Sequence, residues 1–563
     1  MAADDQSANP IQTPPRASAE QGVFLIEQGK RLSESALWSL GRGFFDEQGP
    51  GAWSSNVVPS DITSSPFIAH SSARVVLSYL RDCLRPQQGG SACAIDPAKP
   101  IYIVELASGS GRFSILFLKQ FMQLKAASSL KSLDVRFVMT DFTLTNIRTW
   151  MEQPWFQPFL ESGVLDFALF DMEQSEQLVL LRSGETLAPG KLANPLVVLA
   201  SYALCVVPHD VFRTSEAGMQ EGLVTIHSRK AQRAEDVDVK RLSELIINFN
   251  YQKIEGSYYK NPEFDRILES YQAEFPNQTF LFPICPLRCI ERLINMAAGR
   301  LLMLVSDTGF ALESELKNHP KERMLKFYGS PVVAVNFHLL KRYFQNLGGQ
   351  AFVTSQPGIA LRSAALILGG GQHGAEQFMD TELEFEESMN RFGPSNFDLL
   401  RRAVSQCDLI IEHLLELLRL SCWDPQVLLT CAQALPGQIF FAQRHALSEL
   451  RIALEKIWDN FHPISGDLPF ELARAYLALN LPQEAIRFCE LSLKIFGEHP
   501  ATRFNLGLCH YRAGNLSEAV RCFDLAIEQK SDFSRAQVFR ARALVAESLP
   551  PESFLATSEK QSP

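Results

Sequence analysis

Ile101-Tyr-Ile-Val-Glu105-Leu-Ala107-Ser-Gly109-Ser-Gly111-Arg-Phe-Ser-Ile-Leu-Phe-Leu118 decides the fold. An apolar run stops at an acid and then shrinks to Ala107, Ser108, Gly109, Ser110 and Gly111. The pattern predicts a buried strand, a turn whose backbone a ligand can touch, and a helix resuming at Phe113. The dinucleotide fingerprint G-x-G-x-x-G is not met. Ala107 stands at its first glycine, and no glycine after Gly111 brings helix onto strand, so a phosphate cradle is disfavoured. A nucleotide-handling turn remains, beside the plainer reading of a tight turn in any α/β domain.

Working outward, Leu133 to Phe142 reads as a second strand ending in Asp141, about 35 residues after the first, and Gly163 to Met172 as a third ending in Asp171. A carboxylate at the tip of the parallel strand next to the first is placed to accept a ribose diol, and the large apolar residue after the acid of the third strand, Met172, can lie against an adenine. Each Asp alone is equally a cap for the helix that follows. Leu196–Ala200 is a fourth strand, leading into Ser201, Tyr202, Cys205, His209 and Asp210. Gly299–Val305 is a fifth, ending Ser-Asp-Thr-Gly309, and segments at 332–338, 351–353 and 361–367 are expected to close the sheet. The expected fold class is α/β, a doubly wound Rossmann-like sheet.

Composition bounds the rest. A chain of 563 residues, 46% apolar, is long enough for roughly two to four domains. Eleven cysteines lie scattered without C-x-x-C pairs or histidines at zinc spacing, so they read as core thiols of a reduced compartment and no metal is expected. The first 22 residues are polar and proline-rich, unlike a signal peptide, and the longest apolar run, Pro195 to Pro208, is too short to span a bilayer. The expectation is a cytoplasmic protein with no membrane partner. A net charge of −10 without a basic stripe argues against nucleic acid as a partner.

Residues 1–22 are expected to form a disordered tail. A helical segment is expected from about Val23 to Phe45, and a further helix over Ala73–Leu84, within an N-terminal helical cap spanning 23–95. Nearly 90 residues between Val211 and Ala298 exceed any ordinary crossover, and helices are expected there at Val237–Phe249 and Glu263–Ala273. An insertion of that size (211–298) reads as a substrate cover. In the last third, Leu472-Ala473 and Leu506-Gly507, Tyr476 and His510, Glu484-Ala485-Ile486-Arg487 and Glu518-Ala519-Val520-Arg521, and Leu491 and Leu525 all recur at 34 residues. That is the tetratricopeptide (TPR) period, so residues 396–563 are expected to be an all-α helical repeat domain. Such a solenoid binds a protein or peptide partner, or it buttresses its neighbour.

The turn at Glu105, Gly109 and Gly111, with Ala107 for the first glycine, resembles the E-x-G-x-G-x-G turn of class I S-adenosylmethionine-dependent methyltransferases. Gly49, Trp53, Val58-Pro59, Thr63 to Ala69 and the helix after them extend the resemblance to the MidA type, whose best-understood members methylate arginine on a respiratory-complex protein. It covers about Val23 to Phe397, giving an expected catalytic domain at 23–395. The resemblance implies S-adenosyl-L-methionine as cofactor, held by Glu105, Ala107, Gly109, Gly111, Asp141, Phe142, Asp171, Met172 and Ser201. Asp141 would take the ribose and Asp171 would face the adenine amine. Tyr202 and Asp210 would be the catalytic groups that orient an acceptor or take a proton. Ser201 and Cys205 stand where MidA-type sequences carry Asn and Asp, and Thr308 where they carry Lys. An arginine acceptor needs carboxylates to hold its guanidinium, so the inherited substrate is in question. A catalytically silent scaffold, serving through its repeats, is the competing expectation.

Overall fold

The strand expected at Ile101 forms as β1 (Ile101–Leu106), buried at all six positions. Burial on both faces requires cover above and below, which a doubly wound sheet supplies. The other strands of this sheet are β2 (Val135–Asp141), β3 (Leu165–Leu169), β4 (Leu196–Ser201), β5 (Leu301–Asp307), β6 (Gln350–Val353) and β7 (Arg362–Leu368). Their spatial order is β6-β7-β5-β4-β1-β2-β3. Strands β1 to β5 run parallel, and β7 lies antiparallel between β5 and β6. The order reverses between β1 and β4, because β1 to β3 are laid down to one side and the next strand returns to the other.

The computed structural model describes residues 23–54, 57–58, 62–85, 93–318, 325–327, 329–369, 378–404, 409–463 and 466–548. The tail expected over 1–22, and Pro59, lie outside them. Two units separate along the chain, Met1–Asp398 and Leu399–Pro563.

Four helices of the first half matter for the site: α1 (Ala36–Gln48), α2 (Pro66–Leu84), α3 (Arg112–Ala126) and α4 (Leu144–Glu152). Alternate residues of each strand face opposite ways. Ile101 and Ile103 of β1 therefore pack with the helices α2, α3 and α4, through Val76, Phe117 and Trp150 among others. Tyr102, Val104 and Leu106 pack on the other face against α5 (Pro262–Glu274), α6 (Ile284–Met296) and α7 (Phe337–Asn346).

Three expectations are corrected. The segment from Val23 begins as a strand, Phe24–Arg31, and becomes helical only at α1 after a short 3-10 turn. Val237–Phe249 is a 3-10 stretch, Val239–Glu244, followed by the strand Ile246–Lys253, whereas the helix expected at 263–273 forms as α5. The physical reason is shared. Phe24–Arg31 and Ile246–Lys253 both pair with the long strand Gly218–Ser228, one of them with partners about 200 residues away. With Asp210–Ser215 and Thr279–Phe282 they make a second, five-stranded sheet, so the insertion mixes strands with helices. Third, the segment at 332–338 adds nothing to the main sheet. Pro331–Val333 pairs with Leu325–Phe327, and Val335–Asn336 with Gly309–Phe310.

In the second unit, α8 (Leu468–Ala478) and α9 (Pro482–Phe496) form a hairpin, α10 (Pro500–Arg512) and α11 (Leu516–Gln529) form another, and α12 (Ser534–Glu547) packs on α11. Helices α10 and α11 pack closely where Gly507 of α10 faces Phe523 of α11. A Cβ on Gly507 would stand 2.5 Å from the Phe523 ring. No described helix in either unit is long and apolar enough to cross a membrane.

Candidate functional site

The Glu105–Gly111 turn opens onto a cavity enclosing about 920 Å³, its mouth included. Its walls are Glu105 and Ala107 to Ser110 after β1, Asp141, Phe142 and Asn146 after β2, Ser201, Tyr202 and Val206 after β4, and Ser330 and Val332. Phe45, Trp53, Val58, Thr63 and Ser64 roof it from the N-terminal segment. The cavity thus lies at the carboxyl ends of β1, β2 and β4, where the strand order reverses, which is where doubly wound sheets bind their ligands.

Backbone conformation explains the turn. Ala107, Gly109 and Gly111 all have positive φ, of 51°, 54° and 74°. Glycine adopts this freely, whereas alanine does so at a cost of roughly 1–2 kcal/mol, so Ala107 is held against its preference. Tyr202, at φ 52° on the opposite wall, is strained in the same way. Strain of this kind persists where surrounding structure over-determines it, and both residues face the same cavity. The indole of Trp53 covers the turn so closely that a Cβ on Gly109 would meet it at 2.5 Å. Trp53 in turn stacks on Phe45, ring centroids 5.8 Å apart.

Two buried acids govern the electrostatics. Glu105 is fully buried and accepts a hydrogen bond from the Ser114 hydroxyl. Burial pushes its carboxyl up to about 7. Asp141 is also raised by burial, although four donors converge on it. Its Oδ1 accepts from the Thr143 amide at 2.9 Å and the Thr143 hydroxyl at 3.1 Å. Its Oδ2 accepts from Asn146 Nδ2 at 3.0 Å and the Gly109 amide at 3.2 Å. Both oxygens are thereby engaged in tying the β1 turn to the start of α4. The same arrangement leaves Asn146 Oδ1, buried in the cavity wall, without a partner. A carboxylate on one side requires the amide's NH₂ to face it and its oxygen to face away.

The remaining residues marked in the sequence fall in different places. Ser201 lines the cavity and donates to the Thr63 carbonyl at 3.2 Å. Asp171 does not line it. Arg42 of α1 reaches it with two nitrogens, at 3.1 and 2.8 Å, and also binds Glu173 at 3.0 Å. The same guanidinium lies 4.4 Å over the Phe142 ring. Met172 also lies outside the cavity, its side chain buried in the core and its carbonyl accepting from Arg292. Asp210, expected beside an acceptor, instead begins a strand of the second sheet. It accepts from the Ser33 amide at 3.2 Å and the Tyr259 hydroxyl at 2.7 Å, and faces a separate polar depression with Arg31, Glu173 and Arg288. His209 is fully buried and bonds the Val207 carbonyl at 2.8 Å through Nδ1, and burial brings its pKa down to about 4. Cys205 is fully buried beside Asp307. Asp307 takes the backbone amides of Leu204 and Cys205 at 2.9 and 3.1 Å, and burial lifts its carboxyl to about 6.

Asn146 and Arg42 escaped the sequence reading. Asn146 sits five residues past Asp141, where an amide reads as an ordinary polar position of a helix. Arg42 lies 129 residues from Asp171, and no local pattern links them.

No family model matches the chain, and no curated protein matches it. Among solved structures, the chain is similar to a COG1565 superfamily protein of Burkholderia thailandensis, described as a methyl transferase by inference and bound to S-adenosyl-homocysteine. Identity is 12%, the TM-score is 0.34, and 52% of this chain aligns with 64% of that one. The chain therefore spans less than two thirds of that structure. A native structure of an uncharacterised member of the same superfamily, from the same organism, gives 12% identity and a TM-score of 0.32, with 57% and 79% covered. Scores this low carry no argument about the site, which rests on the cavity itself.

Proposed function

We propose that residues 23–395 form a MidA-type S-adenosylmethionine-dependent methyltransferase acting on a protein, and that residues 396–563 are a TPR-like module that holds the partner. The observation that supports this reading is the cavity's position. It opens where β1 and β4 diverge, over a turn with three left-handed residues, in a sheet with the order and antiparallel β7 of class I methyltransferases.

The residues present fit the cofactor with one change of role. Ser108 and Ser110 offer hydroxyl groups, Gly109 a backbone without a side chain, and Phe142 an apolar face. Asp141 has all its acceptor capacity committed within the protein, so Asn146 Oδ1 is the buried acceptor left for a ribose hydroxyl. Bound there, the cofactor supplies a sulfonium methyl group that transfers in line to an acceptor lone pair. The chain's own work is positioning and exclusion of water. Trp53 and Phe45 close the cavity, Ser201 and Tyr202 form its acceptor-side wall, and Glu105 can hold a proton near neutral pH. Asp210 is too firmly engaged with Ser33 and Tyr259 to serve as the catalytic acid expected of it. An arginine acceptor would find Glu105 and Asp141 as the acids of the cavity wall.

Calorimetry of S-adenosylhomocysteine with the full chain tests the cofactor, and labelled-cofactor incubation followed by mass spectrometry of extract proteins tests the acceptor. Binding that weakens about tenfold in Asn146→Ala, with a labelled protein product, is expected. Absence of binding sinks the reading. Binding without transfer favours the second reading, a scaffold that keeps the cavity but not the chemistry, which the close cover of Trp53 on Gly109 and of Arg42 on Asp171 supports.

A further inference from the structure

The two helical hairpins of the second unit are built on one plan, and where they differ they differ in chemistry. In the first, Tyr476 of α8 stacks flat on Phe488 of α9, centroids 5.4 Å apart, and its hydroxyl donates to Glu455 at 2.6 Å. Thirty-four residues later the corresponding positions hold His510 and Cys522. An aromatic stack and its hydrogen bond have thus been replaced by an imidazole and a thiol. Glu484 of the first hairpin corresponds to Glu518 of the second. The ligand-bearing atoms of His510, Glu518 and Cys522 all lie within 4.8 Å of one another.

We propose that His510, Glu518 and Cys522 form a binding site for a borderline divalent cation of the zinc type, its fourth position taken by water. Glu518 and Cys522 are one helical turn apart on α11 and share a face, and His510 comes from the last turn of the facing α10. Zinc bonds of about 2.0 Å to nitrogen and 2.3 Å to sulfur place tetrahedral ligand atoms about 3.5 Å apart. The ligand atoms, all within 4.8 Å of one another, must therefore draw together by roughly 1 Å on binding. The three ligands are graded in exposure, with Cys522 buried, His510 half-buried and Glu518 exposed, which provides an entry path on one side. What must be displaced is weak. Glu518 is engaged by Arg521, one turn along the same helix and exposed.

The protonation states suit the assignment. Burial lowers the pKa of His510, so its imidazole is neutral and able to ligate. Burial raises the Cys522 thiol to about 11, so the metal must expel a proton. The S–H bond breaks as the sulfur–metal bond forms, the proton leaves to solvent, and affinity rises with pH. No zinc spacing is legible in the sequence because ligands from two facing helices need no short motif.

The test uses the full chain, stripped with a chelator and titrated with Co²⁺. The expected result is a thiolate-to-cobalt absorption band in the near ultraviolet, displaced by Zn²⁺, with one equivalent bound. Cys522→Ser should abolish the band. His510→Ala and Glu518→Gln should weaken binding by about tenfold or more, at least as much as the loss of a supporting outer group at a metal site. Glu518 is exposed, so its substitution keeps the test meaningful if a core variant fails to fold. A Zn²⁺-dependent rise in Tm is expected for the parent and not for His510→Ala. The proposal is overturned if no band forms, or if the band survives Cys522→Ser and follows Cys489 or Cys509 instead.

Discussion

Asp141 ends β2 and Asp171 lies two residues past the end of the neighbouring parallel β3, and each is followed by a large apolar residue, yet they do unlike work. Asp141 is buried, and its four hydrogen bonds all go to the protein, two of them to backbone amides at the β1 turn and the start of α4. Asp171 is partly exposed and forms an ion pair with Arg42, a residue of the N-terminal segment. One acid therefore builds the cavity floor, and the other fastens a lid element to the sheet. An acid at a strand end predicts where a ligand edge lies but not whether the ligand or the protein uses it. The open lone pairs decide that, and at this site they belong to Asn146.

The largest effect expected from this contrast is on stability. Asp141→Ala strands two buried amides, a hydroxyl and the Asn146 NH₂, and should cost about 3 kcal/mol in urea unfolding, even without ligand. Asp171→Ala should cost well under half of that, because its partner is a third exposed. Equal costs would break the comparison.

Next in size is a pH effect centred on the same floor. Burial holds the Glu105 carboxyl at about 7 against 4.5 in the open chain, so the folded protein keeps a proton that the unfolded chain has released. Stability from this source is intact below about pH 4.5, declines as pH rises towards 7 and stays low above it. Glu105→Gln removes the decline. The variant should match the parent near pH 4 and exceed it by up to about 3 kcal/mol at pH 8. A difference independent of pH would show that the carboxyl is not held protonated by burial.

A smaller effect separates the two candidate ribose groups. Asn146→Ala should weaken S-adenosylhomocysteine binding by about tenfold, the worth of one buried hydrogen bond to a neutral group, with part of the cost shared by the loss of its bond to Asp141. Asn146→Asp would set two carboxyls against each other and should bind worse still. If Asn146→Ala leaves affinity unchanged, the acceptor left open at Oδ1 serves no ligand.

Local signals in the chain were legible, and long-range ones were not. The β1 turn could be read from seven residues because strand, small-residue turn and helix are adjacent in sequence. The 34-residue period likewise displayed the paired helices. Phe24–Arg31 was misread as a helix because its pairing with Gly218–Ser228 is invisible locally, and apolar residues over so short a stretch fit either period. The same holds for Ile246–Lys253. Asp210 looked like an acceptor-site acid only while the loop after β4 was taken to end at the cavity. The chain instead turns there into the second sheet, which takes the carboxylate away to Ser33 and Tyr259. Cys205 looked like a missing acid, but Asp307 stands against it from the end of β5, so the position is not devoid of a carboxylate.

The last prediction concerns Arg42, where the effect on stability is small and the effect on binding has the more informative sign. Its guanidinium spans Asp171 and Glu173 and lies over Phe142, so it covers both the acid that the resemblance sets facing the adenine amine and a ring that the resemblance counts among the cofactor-holding residues. Arg42→Ala should lower stability by under about 1 kcal/mol, since the pair is partly exposed. If Arg42 occupies the base's place, its removal exposes Phe142 and frees Asp171, and nucleoside affinity should rise severalfold. If Arg42 instead serves as a wall of the base pocket, affinity should fall and Arg42→Lys, which cannot lie flat on the ring as a planar group does, should rescue little. A rise favours the scaffold reading, with a cavity kept closed by its own N-terminal segment, and a fall favours the enzyme.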